Sequence, residues 1–140
     1  MARRAERAPL PKVTFDTDVL IWYLRGNEKA KGLLAQVPFG KRTISSLVYM
    51  ELLQGCLDAK EMRTVEKFVA QNFSQFFHLS EAISQRAIAL LEKYALSHGL
   101  RVADALLAAT ALVLRLKLVT AHLRHYRFIK GLDLLLFSPE

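Results

Sequence analysis

Residues 13–24 read VTFDTDVLIWYL, and this stretch decides the class of fold. Val13, Thr14 and Phe15 form a β-favouring apolar run that stops on Asp16. Asp18 then stands where a helix N-cap belongs, ahead of the apolar run Val19 to Leu24. This is the pattern of a strand, a tight turn and a helix. Gly26 ends that helix, Glu28 to Gln36 makes a second one, and Pro38 and Gly40 turn the chain into a second strand at Arg42 to Ile44. Ser45 or Ser46 caps the next helix, which contains Glu51 and runs through Leu53 to a stop at Gly55. Asp58 to Asn72 is helical in composition, with Met62, Val65, Phe68 and Val69 at helical spacing. Phe76 to Leu79 reads as a third strand. Ser80 and Glu81 open the clearest helix, whose stripe Ile83, Ala87, Leu90, Leu91 and Tyr94 leads to a stop at Gly99. A helix from Val102 to Leu116, a fourth strand at Lys117 to Thr120 and a fifth at Leu134 to Phe137 complete the chain. Short strands separated by helices require crossover connections, so the expected class is α/β, a short-stranded parallel sheet with helices on both faces. Ligands of such folds bind beyond the carboxyl ends of the strands.

At 140 residues and 52% hydrophobic side chains, the chain has the makings of one globular domain, which excludes disorder throughout. Lys and Arg number 20 against 13 Asp and Glu, and the net charge of +7 predicts attraction to polyanions. The lone cysteine, Cys56, can form no internal disulfide, which points to the cytoplasm. The longest apolar stretch, Ala105 to Leu114, is interrupted by Thr110 and falls well short of the roughly 20 residues of a membrane span, so no membrane partner is expected. The leader MARRAERAPLPK is basic, but the apolar run after it contains Asp16 and Asp18. Residues 1–12 are therefore expected to be a basic mobile arm in front of a single domain spanning residues 13–140.

Three acids keep apolar company: Asp16 at a strand end, Glu51 within LVYMELL, and Asp104 ahead of ALLAA. An ionised carboxylate in such surroundings is costly unless a cation or donor meets it. Asp104 also continues a helical stripe with Leu107, Ala108 and Ala111. Each has an ordinary explanation: Asp16 as a turn former, Glu51 paired with an arginine, Asp104 stabilised by free amides at a helix start. One shared site at the end of the sheet explains all three together. Carboxylates gathered there would raise one another's pKa values unless a multivalent cation sat among them, and an oxygen-only set suits Mg²⁺ or Mn²⁺. In a basic protein, acid-bound Mg²⁺ points to hydrolysis of a nucleic-acid backbone.

Four blocks, FDTDVLIWYLRGN, ISSLVYMELLQG, GLRVADALLAATAL and LVTAHLRHYRFIKGLDL, resemble in order and spacing those of PIN-domain ribonucleases, specifically VapC-type toxins of toxin–antitoxin pairs. The resemblance runs from Val13 to Phe137. It implies a three-layer α/β/α fold, metal-dependent endoribonuclease activity, a cognate VapB-type antitoxin and a homodimer. It also maps the family's catalytic, metal-holding acids onto Asp16, Glu51 and Asp104. Asp18 matches a position expected to cap the helix or support the metal through water, and Thr17 and Thr120 match small polar positions lining the pocket. The fourth block departs from the pattern, with His122 where the family commonly has Asp or Asn. His122 could ligate a metal, bind phosphate or transfer a proton, or be a surface histidine. Tyr126 is expected in the core. Arg124, Arg127 and Lys130, in the same basic segment, are candidates for RNA binding. Two other classes compete: a haloacid-dehalogenase-type phosphatase using Asp16-Thr17-Asp18, which leaves Glu51 and Asp104 unexplained, and a catalytically degenerate PIN-like protein that only binds RNA or a partner.

Overall fold

The structure, a computed structural model, describes residues 11–140. In chain order it contains β1 (Val13–Phe15), α1 (Thr17–Leu24), α2 (Glu28–Gln36), β2 (Arg42–Ser45), α3 (Ser46–Gln54), α4 (Ala59–Asn72), β3 (Gln75–Phe77), α5 (Glu81–His98), α6 (Val102–Leu114), β4 (Lys117–Thr120) and β5 (Leu134–Leu136). All five strands are parallel, in the order β3-β2-β1-β4-β5. The expected α/β class is what the chain adopts. Crossovers between parallel strands are right-handed, so α1 to α4, which link strands advancing one way across the sheet, cover one face. The α5–α6 pair, which carries the chain back from β3 to β4, covers the other. Of the expected basic arm, residues 1–10 lie outside the described residues. The Lys12 carbonyl accepts from the Lys117 N–H at 2.9 Å.

Local chemistry sets the boundaries. Ser45 caps α3, its hydroxyl accepting from the Leu47 N–H at 3.1 Å, and Gly55 closes that helix. Asp58 caps α4 through the Glu61 N–H at 2.8 Å, and Ser80 caps α5 through the Ile83 N–H at 3.2 Å. Gly99 ends α5 at φ 67°, where a side chain would be strained. Three expectations shift. α1 starts two residues earlier than expected, because Asp16, extended at φ −65° and ψ 153°, is the N-cap in place of Asp18. α6 ends at Leu114 because Arg115 turns into the left-handed region (φ 56°), which lets the Leu116 N–H reach the Ala111 carbonyl at 2.8 Å. β3 lies at Gln75–Phe77 because Gln75 pairs with Thr43 and Phe77 with Ser45, which leaves His78 and Leu79 to lead into the α5 cap.

Phe15, Ile44, Leu118 and Val119 of the central strands are fully buried, as are Val48 of α3 and Ala105, Ala108 and Ala109 of α6. The alanines let α6 lie close to the sheet, which brings its first turn, with Asp104, toward the ends of β1 and β4. On α5 the inward residues are Ile83, Ala87, Leu90 and Tyr94, as the helical period predicts. No helix among the described residues is long and apolar enough to cross a membrane.

Leu118→Ala opens a void in the middle of the sheet and is expected to cost about 2–5 kcal/mol in urea unfolding. Leu96→Ala, at a fully exposed position on α5, should change stability by less than about 0.5 kcal/mol.

Candidate active site

Strand order reverses beside β1: β2 and β3 extend the sheet to one side, β4 and β5 to the other. In an open parallel sheet such a reversal leaves a crevice past the carboxyl ends of the two diverging strands. Asp16 and Thr120 stand there. Asp16 follows β1, with its N–H still in the ladder on the Val119 carbonyl at 2.8 Å. Its Oδ1 accepts from the Thr17 N–H at 2.8 Å at the start of α1, and its Oδ2 accepts from the hydroxyls of Thr120 (2.9 Å) and Tyr126 (3.1 Å). Thr120 is held in that role because its own oxygen accepts from the His122 N–H at 3.0 Å.

Glu51 arrives from α3, where Oε1 accepts from the Thr17 hydroxyl at 2.8 Å. Asp104, the third residue of α6, accepts at Oδ1 from the Tyr126 hydroxyl at 3.0 Å, and its Oδ2 lies 3.5 Å from His125 Nδ1. Asp104 does not continue the buried stripe as expected. Leu107, Ala108 and Ala111 are buried, but the Asp104 side chain keeps 25% of its surface exposed because the first turn of α6 opens on the crevice. One pocket is lined by all three acids together with Thr17, Asp18, Gln54, His122 and His125.

The pocket is rich in carboxylates, and the basic groups that meet them among the described residues are two histidines, His122 on Asp18 and His125 at 3.5 Å from Asp104. Among the described residues no Lys or Arg forms an ion pair with Asp16, Glu51 or Asp104. The Asp16 carboxyl is held above its ordinary range, first by burial and then by the charge of Asp104, against the opposing hydrogen bonds from Thr120, Thr17 and Tyr126. Glu51 is raised in the same way, by burial and by the charges of Asp16, Asp104 and Asp18, while the Thr17 hydroxyl opposes the shift. Burial and the charges of Asp16 and Asp104 push the Tyr126 phenol far above its ordinary value, so it is a neutral donor.

Asp18 lies in the first turn of α1 with its side chain about half exposed and hydrogen-bonds His122 Nε2. His122 sits at the pocket mouth, its ring stacked on that of His125 at 5.1 Å and 18°. Thr17 lines the pocket, whereas Thr120 is fully buried behind Asp16. Arg124, Arg127 and Lys130 are exposed on the segment after β4 and are not among the lining residues. Tyr126 is in the core, as expected, but no local pattern announces that its hydroxyl meets two of the acids. The available signal was a tyrosine closely following the end of a strand whose neighbour ends on an acid.

Residues 13–130 match the PIN domain family. Ribonuclease VapC19 of Mycobacterium tuberculosis is 33% identical over 121 residues, which cover 84% of this chain and 94% of that protein. Ribonuclease VapC10 of the same organism is 32% identical over 125 residues, 86% of this chain and 90% of that one. A chain of a toxin–antitoxin complex from Klebsiella pneumoniae superposes with a TM-score of 0.76 at 27% identity, covering 92% of this chain and 98% of its own. The fold and the sequence together make this chain a member of the PIN-domain family, among its VapC proteins.

A carboxyl whose folded pKa is raised favours folding fully below its unfolded value and loses that contribution as pH rises through the folded value. Glu51→Gln, which removes this charge and keeps an acceptor for Thr17, should therefore raise the melting temperature at neutral pH in the presence of chelator. The gain should vanish below the ordinary glutamate value of 4.5. Thermal unfolding from pH 4 to 8 checks this.

Proposed function

We propose that this protein is a metal-dependent endoribonuclease, the toxin of a VapBC-type toxin–antitoxin pair, that hydrolyses RNA phosphodiester bonds in the cytoplasm. The observation that carries this is the gathering of Asp16, Glu51 and Asp104, from three separate elements, into one pocket, with no Lys or Arg partner among the described residues. Donors that are all oxygen, with net negative charge, fit a hard divalent cation such as Mg²⁺ or Mn²⁺. Among the described residues no three Asp, Glu, His or Cys side chains close on one point as a complete ligand set. Asp16, Glu51 and Asp104 would hold the cation, with Asp18 and His122 at the edge of the site; when bound, it would supply an activated water and charge stabilisation for the leaving oxygen.

The chain's own groups prepare that chemistry. Thr17 and Thr120 fix the Asp16 and Glu51 carboxylates by hydrogen bonds, so that they need not reorganise when charge develops on the substrate. His122 and His125, exposed at the mouth, offer N–H donors to an approaching phosphate. Arg124, Arg127 and Lys130, exposed on the same segment, supply cationic contacts along the strand. An apolar groove floored by Ile21, Leu24, Leu52 and Val65 adjoins the pocket and shares Glu51 with it, and we take it as the seat of the antitoxin. The phosphatase alternative would need a lysine against Asp16, and among the described residues none forms an ion pair with it.

Asp16→Asn and Asp104→Asn are each expected to lower RNA cleavage in Mg²⁺ or Mn²⁺ by more than the roughly 100-fold that loss of an outer partner of a metal ligand costs, and chelator should abolish it. Unchanged cleavage in both variants would overturn the site. Replacing Arg124, Arg127 and Lys130 together by alanine should weaken RNA binding and flatten its dependence on salt, as read by a filter-binding titration.

A further inference from the structure

We propose that Tyr126 is a positioning residue, whose hydroxyl ties Asp16 to Asp104 and sets the spacing at which the two carboxylates meet a divalent cation. This rests on the reading of those acids as metal-holding groups. Asp16 belongs to the end of β1 and Asp104 to the first turn of α6. Among the described residues, the Tyr126 hydroxyl is the one hydrogen-bonding group that touches both, at 3.1 and 3.0 Å. Asp104 has little else to fix it. The N-cap of α6, Arg101, makes no side-chain capping bond, and the other contact of Asp104 is the 3.5 Å approach of His125, itself about half exposed.

Tyr126 is suited to the task because it cannot move away. Its ring is fully buried, and its backbone is fixed on both sides: its N–H donates to the Leu123 carbonyl at 2.9 Å and its carbonyl accepts from the Ile129 N–H at 2.9 Å. A packed aromatic ring thus acts as a rigid arm that carries a donor to one point between two elements. A phenol has one proton to give, and both carboxylates lie within reach of it and share it. The arrangement aligns the pair without neutralising it and leaves the remaining charge for a cation. Thr120 differs, because of the two acids its hydroxyl touches Asp16 and not Asp104, and so orders one acid without relating it to the other.

Tyr126→Phe keeps the ring and deletes only the bridge. Mn²⁺ binding to the full-length protein, measured by calorimetry without RNA, should weaken roughly tenfold, in the range set by outer partners of metal ligands. In cleavage assays the Mg²⁺ concentration for half-maximal rate should rise to match, while the rate at saturating Mg²⁺ stays within about twofold. Asp104→Asn is titrated alongside. Loss of Mn²⁺ binding in Asp104→Asn with the tenfold weakening in Tyr126→Phe supports the proposal. Loss in Asp104→Asn with wild-type affinity in Tyr126→Phe overturns it and leaves the metal site standing. Wild-type Mn²⁺ affinity in Asp104→Asn removes the metal site, and the role of Tyr126 with it. Thermal unfolding of Tyr126→Phe in chelator separates the cases further: a lower melting temperature with unaltered Mn²⁺ affinity marks a packing role alone and overturns the proposal.

Discussion

Asp16 stands at the end of the central strand with both oxygens already engaged, by a helix amide on one side and by two hydroxyls on the other. Its burial and its nearness to Asp104 make its charge costly, and no cation of the chain relieves it among the described residues. Everything around it serves to hold that position. The parallel ladder fixes its backbone through Val119, the start of α1 supplies an N–H, and the end of β4 supplies Thr120. A site of this kind is destabilising by itself, and the surrounding sheet must be stable enough to carry it.

The scaffold meets that need with short central strands, β1, β2 and β4, that are almost wholly buried, and an alanine-rich α6 that packs tightly. Close packing of α6 has a functional side, because the distance of Asp104 from Asp16 depends on how near the helix lies to the sheet. A larger side chain at Ala105 or Ala108 would push the first turn outward, and the acid with it. Charge is divided by location in the same spirit. Arg124, Arg127 and Lys130 sit on an exposed segment where they remain hydrated, and Asp16, Glu51 and Asp104 sit in the crevice where burial weakens the screening by solvent.

Much of the fold was legible because the chain is locally consistent. Asn27, Ser45, Asp58 and Ser80 each cap the helix that follows, Gly99 stops α5, and the inward stripe of α5 keeps its helical period. The misreadings share a cause: Asp16 and Asp18 are both good caps, and only the backbone at Asp16, set by its place in the ladder, selects between them. Arg115 offers no glycine to announce the end of α6. Asp16, Glu51 and Asp104 stood out as acids in apolar runs, and each reached the pocket. Tyr126 did not stand out, since an aromatic residue in an apolar segment is what any core contains.

The sequence by itself determined the α/β class, the order of elements and the identity of the three acids, because periodicity, caps and misplaced charge are properties of neighbouring residues. Only the tertiary structure decided which groups meet. The Thr17 hydroxyl on Glu51, the Thr120 hydroxyl on Asp16, His122 on Asp18 and the Tyr126 bridge join parts of the chain that are distant in sequence. Such contacts follow from the reversal of strand order beside β1 and from how closely α6 can approach the sheet, and no local pattern encodes either.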